Sequence, residues 1–136
     1  MCPSLVAGFG KEDHLAEEMH MKITDIIADI AVPDMGEARS FYTDYLGLSV
    51  EEFNLGWVAR YTSPSTGAHI QILTHDASAS ANPVVSIKVD DIDAALAEAQ
   101  ENGYDIVHPL TTETWGVTRF FVRAPDGNVF NIVQQH

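Results

Sequence analysis

Four residues past the turn glycine Gly127, the amide Asn131 stands between Phe130 and Ile132 in a strand that otherwise reads as buried. An amide side chain is a neutral acceptor with two N–H donors, so it holds an organic molecule by hydrogen bonds or stays a polar residue on a wet sheet face. Among the six histidines, His69 carries the most chemistry, because an imidazole beside a carboxylate acts as a general base near neutral pH. His75, His108 and His136 fall near strand ends with no HxH or HExxH pattern to unite them as metal ligands. Trp57 and Trp115 are either an aromatic wall for a planar or cationic ligand or ordinary core and dimer-contact aromatics. Arg119 offers a fork for a carboxylate or phosphate, or an ion-pair partner in an acidic chain. There is no GxSxG nucleophile setting and no glycine-rich phosphate loop, and Cys2, the sole cysteine, sits in an unpatterned segment.

Composition narrows the partners. The chain has 136 residues, enough for one core without disulfides, with 7 basic against 20 acidic residues and a formal charge of -13. Phosphate binding needs clustered Lys and Arg, which are absent, so nucleic acid is not expected. An acidic surface favours solubility and attracts cationic small molecules. A cytoplasmic protein without a membrane span or signal segment is expected.

The elements that would position these residues recur twice. Residues 1–20 share no pattern with the rest of the chain and are read as an N-terminal extension. From Ile23, alternation predicts a strand ending at Val32. Asp34 with Glu37 then makes a capping box, apolar residues continue at helical spacing to Gly47, and strands are expected at about 48–54, 57–62 and 68–74. A small-residue connector at 76–83 leads to a second strand from Val84 to Val89, a helix capped by Asp90 or Asp91 and closed by Gly103, and strands at about 104–108, 115–123 and 128–135. Two units of one plan, 21–75 and 84–136, imply a pseudo-symmetric pair forming one domain. Each unit has one helix to cover one sheet face, so a concave, partly polar cup between the units is the natural site.

The segments IADIAVPDMGEARSFYTDYLGLSV and WGVTRFFVRAPDGNVFNIV resemble the two signature regions of the vicinal oxygen chelate superfamily, which includes glyoxalase I, extradiol dioxygenases and bleomycin-resistance proteins. The resemblance covers about residues 22–135. It implies an α+β fold of two tandem βαβββ modules whose mixed sheet curls into a cup. It also implies that the divalent-metal positions of the family's metalloenzymes fall here on Ile27, Gln71, Val84 and Asn131. None of these four is His, Asp or Glu, and neutral amides are weak ligands for a transition metal, so no metal and no cofactor is expected. If Asn131 faces the cup, strand parity adds Asp29, Ala31, His69, Leu73, Ser86 and Lys88 to the same face.

These residues support a metal-independent protein that binds a small organic molecule in the cup, cationic if net charge guides the choice, by sequestration as in bleomycin resistance, with a homodimer implied by the resemblance. The ligand-binding set is Ile27, Asp29, Trp57, His69, Gln71, Val84, Ser86, Lys88, Trp115, Arg119 and Asn131. The alternative is a glyoxalase- or dioxygenase-like enzyme, a lyase or dioxygenase, in which His69 with Asp29 supplies a displaced metal site or His69 runs metal-free acid-base chemistry. A third reading is an interaction module with a vestigial cup.

Overall fold

A computed structural model describes residues 21–136, so the expected extension at 1–20 lies outside the described residues. The elements run β1 (Ile23–Ala31), α1 (Met35–Ser40), β2 (Val50–Asn54), β3 (Val58–Thr62), β4 (His69–Leu73), β5 (Val85–Val89), α2 (Ile92–Glu101), β6 (Asp105–Thr112), β7 (Val117–Arg123) and β8 (Val129–Gln135). The order βαβββ thus occurs twice, as the spacing predicts.

All eight strands join one curled, unclosed mixed sheet in the order β2-β3-β4-β1-β5-β8-β7-β6. Within each half the first strand lies parallel to the last: β1 to β4 and β5 to β8. The two halves meet where β1 runs antiparallel to β5. This seam brings the first strands of both units to the centre, so side chains from β4, β1, β5 and β8 stand side by side on the concave face.

The helices cover the other face. Asp34 accepts a hydrogen bond from the Glu37 N–H at 2.9 Å and Asp91 from Ala94 at 3.0 Å, which selects Asp91 as the second cap. Under α2, Ile87, Ile92, Ala95, Phe120 and Ile132 form one core cluster, with Phe130 packed against it; under α1, Leu48, Ala59, Tyr61 and Ile72 form the other. Burying one such large side chain stabilises by about 1.5–3 kcal/mol, which holds each helix to the sheet and leaves the concave face free. The first helix does not stay α to Gly47. At Phe41–Tyr45 it widens into a π turn in which the Leu46 N–H donates to the Phe41 carbonyl at 3.0 Å. Gly67 and Gly127, the turn residues before β4 and β8, adopt φ of 79° and 95°, a region that only glycine enters at low cost.

Candidate functional site

The concave face encloses a cavity of about 370 Å³. Trp57 and Trp115 wall it, meeting edge to face with ring centroids 5.4 Å apart and planes at 70°. Phe53, Leu55 and Val117 extend the apolar wall. A polar floor lies at the β4-β1-β5-β8 centre.

That floor is one hydrogen-bonded chain. The Gln71 Nε2 donates to Asp29 Oδ1 at 2.6 Å, and the Ser86 hydroxyl donates to Asp29 Oδ2 at 2.6 Å. The Asn131 Nδ2 donates to Ser86 Oγ at 3.0 Å. At the other end the Arg60 Nε and Nη2 both donate to Gln71 Oε1, at 3.0 and 2.7 Å. Backbone register explains the grouping, since Asp29 stands level with Gln71 on β4, and Ser86 level with Asn131 on β8. Asp29, Gln71, Ser86 and Asn131 are all buried. One polar atom among them has no partner, the Asn131 Oδ1, and an unsatisfied buried acceptor costs about 1–3 kcal/mol.

Burial pushes the Asp29 carboxyl up to about 6, even though the hydrogen bonds from Ser86 and Gln71 and the charge of Arg60 pull the other way. Burial also lowers the Arg60 guanidinium from its ordinary value, against the charges of Glu52, Asp25 and Asp29. The guanidinium lies over the Phe53 ring, 4.9 Å from its centroid.

A second buried cluster forms the wall on the β7 side. Arg119 grips Asp76 with two hydrogen bonds, Nη1 to Oδ2 at 2.8 Å and Nη2 to Oδ1 at 2.7 Å, while its Nε donates to Glu113 Oε2 at 2.7 Å. Its Nη2 also reaches Ser78 Oγ at 2.9 Å, and the Ser78 hydroxyl donates to Glu113 Oε2 at 2.9 Å. His108 touches the same Glu113 oxygen at 3.2 Å. Burial pushes Asp76 and Glu113 up, but the hydrogen bonds and charge of Arg119 outweigh it and hold both carboxyls below their ordinary values. For Arg119, burial lowers and the two carboxylates raise its affinity for the proton, with a net upward shift.

The expected residues distribute unevenly over this geometry. Ile27, Asp29, Gln71, Ser86, Lys88 and Asn131 line the cavity floor and sides, as do Trp57 and Trp115. Two readings need correction. The motif count set Ile27 and Val84 beside Gln71 and Asn131, but the side chains bonded to those amides are Asp29 and Ser86, two residues further along each strand. Ile27 still lines the cavity, whereas Val84 is 43% exposed and lies outside it. His69 does not join Asp29. Because β1 and β4 are parallel and Asp29 is level with Gln71, His69 falls level with Ile27, two residues short of Asp29, and its Nε2 meets Asp25 Oδ2 at 2.9 Å instead. Arg119 lines the cavity but commits its donors to Asp76, Glu113 and Ser78, so it serves as a clamp on the connector rather than as a free anion fork. Sequence reasoning passed over Arg60 and Asp76. Arg60 was reachable, since it is directly opposite Gln71 in the antiparallel β3–β4 pair.

The floor does not suit a transition metal. It offers one carboxylate, one hydroxyl and two amides, and both Asp29 oxygens already accept hydrogen bonds from their neighbours. No group of three or more His, Cys, Asp or Glu side chains able to hold a metal occurs among the described residues. No helix among them is long and apolar enough to cross a membrane.

The sequence model described as Glyoxalase/Bleomycin resistance protein/Dioxygenase superfamily matches residues 13–132. No curated protein matches the sequence. Among solved structures, the chain is similar to one described as NAD-dependent benzaldehyde dehydrogenase from Legionella pneumophila, at 16% identity and a TM-score of 0.66, covering 82% of this chain and 100% of that one. It is also similar to methylmalonyl-CoA epimerase from Mycobacterium tuberculosis, at 24% identity and 0.63, covering 88% and 95%. A glyoxalase/bleomycin resistance protein/dioxygenase superfamily member from Vibrio splendidus 12B01 aligns at 19% identity and 0.59, covering 82% and 98%. At these identities the likeness shows the fold alone.

Proposed function

The chain belongs to the Glyoxalase/Bleomycin resistance protein/Dioxygenase superfamily, and on that premise we propose that it binds a small, planar organic molecule in the cup, with no transition metal at the floor. The observation that carries this is the union of a cavity of about 370 Å³, two tryptophans on its wall and a polar floor whose acid is already engaged by neighbouring side chains. The lining holds three acids, Asp29, Glu52 and Asp76, and three bases, Arg60, Lys88 and Arg119. Its formal charges balance, so the lining itself adds no local preference for a cation. A neutral or zwitterionic guest fits better than the cationic one expected from net charge. Exposed Ile26, Phe41 and Tyr45, at 61%, 53% and 78%, support a homodimer through the helix-bearing face.

Elemental analysis together with a thermal-shift screen of planar heterocycles tests the reading. The expected result is less than about one transition metal per ten chains and at least one ligand that raises the melting temperature. Stoichiometric metal, or a screen in which nothing stabilises the protein, defeats it.

A second reading, metal-free acid-base catalysis, moves from His69 to Asp29. Its support is a buried carboxyl at the cavity floor titrating near 6, close to the range in which a proton is both taken and returned. Incubating a bound ligand in D2O separates the two readings. Exchange of a ligand C–H that disappears in Asp29→Asn supports catalysis; binding without exchange supports a binder.

A further inference from the structure

The orientation of the Asn131 amide follows from a count of protons. Ser86 has one hydroxyl hydrogen, and the ionised Asp29 takes it at 2.6 Å. The lone pairs of Ser86 Oγ then need a donor, so Asn131 turns Nδ2 toward it at 3.0 Å and leaves Oδ1 with nothing to accept from. Turning the amide over would set Oδ1 against a hydroxyl with no hydrogen left to give. In the other half of the molecule the matching oxygen, Gln71 Oε1, accepts twice from Arg60. Opposite Asn131 in the ladder stands Phe121, which has no donor.

We infer that the Asn131 side-chain oxygen recognises a hydrogen-bond donor on the bound molecule, an O–H or N–H group, and that Ser86 and Asp29 set this preference by fixing the amide's orientation. The inference rests on the cup being a ligand site. Asn131 is 9% exposed and lines the cavity, and the terminal torsion of asparagine is broad, so a small rotation presents Oδ1 to a guest seated on the floor. A donor there satisfies an atom that is otherwise buried and unpaired, whereas a guest presenting an acceptor meets a second lone pair. Asn131 touches the guest; Ser86 is a positioning residue that acts through it.

Matched fragments of nearly equal shape test this on the full chain: indole against benzofuran, and phenol against fluorobenzene. Binding is followed by the NMR shifts of the Trp57 and Trp115 indole N–H groups and of the Asn131 side-chain amide. The donor-bearing member of each pair is expected to bind about tenfold more tightly. In Ser86→Ala the amide is released and the ratio falls toward one, while the tryptophan shifts persist. Equal or reversed affinities in the wild-type protein overturn the inference and leave the cup reading standing, and this comparison needs no variant. A ratio that survives in Ser86→Ala overturns the role of Ser86 and Asp29. If no fragment moves the tryptophan signals, the cup reading falls and the inference with it.

Discussion

Two buried polar clusters lie side by side in this cup, and they are built on opposite principles. Around Arg119 every charged group has a partner: two carboxylates and a hydroxyl are bonded to one guanidinium, His108 touches one of those carboxylates, and both acids are held below their ordinary pKa. Around Asp29 burial outweighs the hydrogen bonds, the carboxyl rises to about 6, and one amide oxygen has no partner. The first arrangement resists change and fastens the 76–83 connector to β7. The second keeps a titratable group and an unused acceptor at a cavity wall, which is where recognition or proton transfer needs them. The pseudo-symmetry shows how the contrast arises. Arg60 opposite Gln71 completes one half of the floor, and Phe121 opposite Asn131 leaves the other half open.

The largest effect is expected at the Arg119 cluster. Arg119→Met removes the one cation that Asp76 and Glu113 share, and their side chains are only 1% and 7% exposed. Leaving buried acids uncompensated costs about 3–5 kcal/mol. Urea denaturation at pH 7 measures it, and a loss below about 1 kcal/mol contradicts an anchoring role.

Next in size is a pH effect with opposite signs in the two clusters. The native Asp29 holds its proton more tightly than the unfolded chain, because its carboxyl is raised from 3.8 to about 6. Its contribution to stability is therefore full below about pH 4 and is lost as pH rises to about 6, by about 3 kcal/mol. Asp76 and Glu113 are lowered, so their contribution is present above the ordinary carboxylate range and is lost as pH falls below it. Unfolding free energies of wild type and Asp29→Asn across pH 4–7 should converge or diverge by that amount over the window. Parallel curves would show that Asp29 titrates normally.

A smaller change makes the two halves of the floor alike. Arg60→Met leaves Gln71 Oε1 without its donor, as Asn131 Oδ1 already is, and should cost about 1–3 kcal/mol. The same variant lowers the charge beside Asp29 and raises its carboxyl further, which carbon-13 NMR of the Asp29 side chain detects.

Much of this architecture was legible in the residues. The repeat, the cap at Asp34, a second cap at Asp90 or Asp91 and the turn glycines are local signals, each fixed by chemistry within a few positions, and the structure reproduces them, with Asp91 as the second cap. Parity along β1 and β5 likewise set Asp29 and Ser86 on the cup face. What the sequence lacked was level across the ladder. Counting from Val32 and Val89 measures distance along a strand, whereas the partners of Gln71 and Asn131 depend on how β1 and β5 slide against β4 and β8. The two-residue difference between Ile27 and Asp29 follows from that. The 76–83 stretch showed only small residues, and nothing local reveals that Arg119, 43 positions on from Asp76, would clamp it. The π turn at Phe41–Tyr45 has no local marker that we can identify.

The smallest effect concerns His69, the imidazole that residue type alone made prominent. It faces Asp25 at 2.9 Å and Glu52 at 3.8 Å, with side-chain exposures of 18%, 32% and 40%, so these polar contacts are partly solvated. Such contacts contribute about 0–1 kcal/mol. His69→Gln should therefore change stability by less than about 1 kcal/mol, and should leave the Asp29 titration midpoint in place, since His69 is not among the groups that shift that carboxyl. Both quantities come from one set of samples, by denaturation and by carbon-13 titration. A midpoint displaced by about half a pH unit or more would couple the rim to the floor and return His69 to the chemistry of the cup.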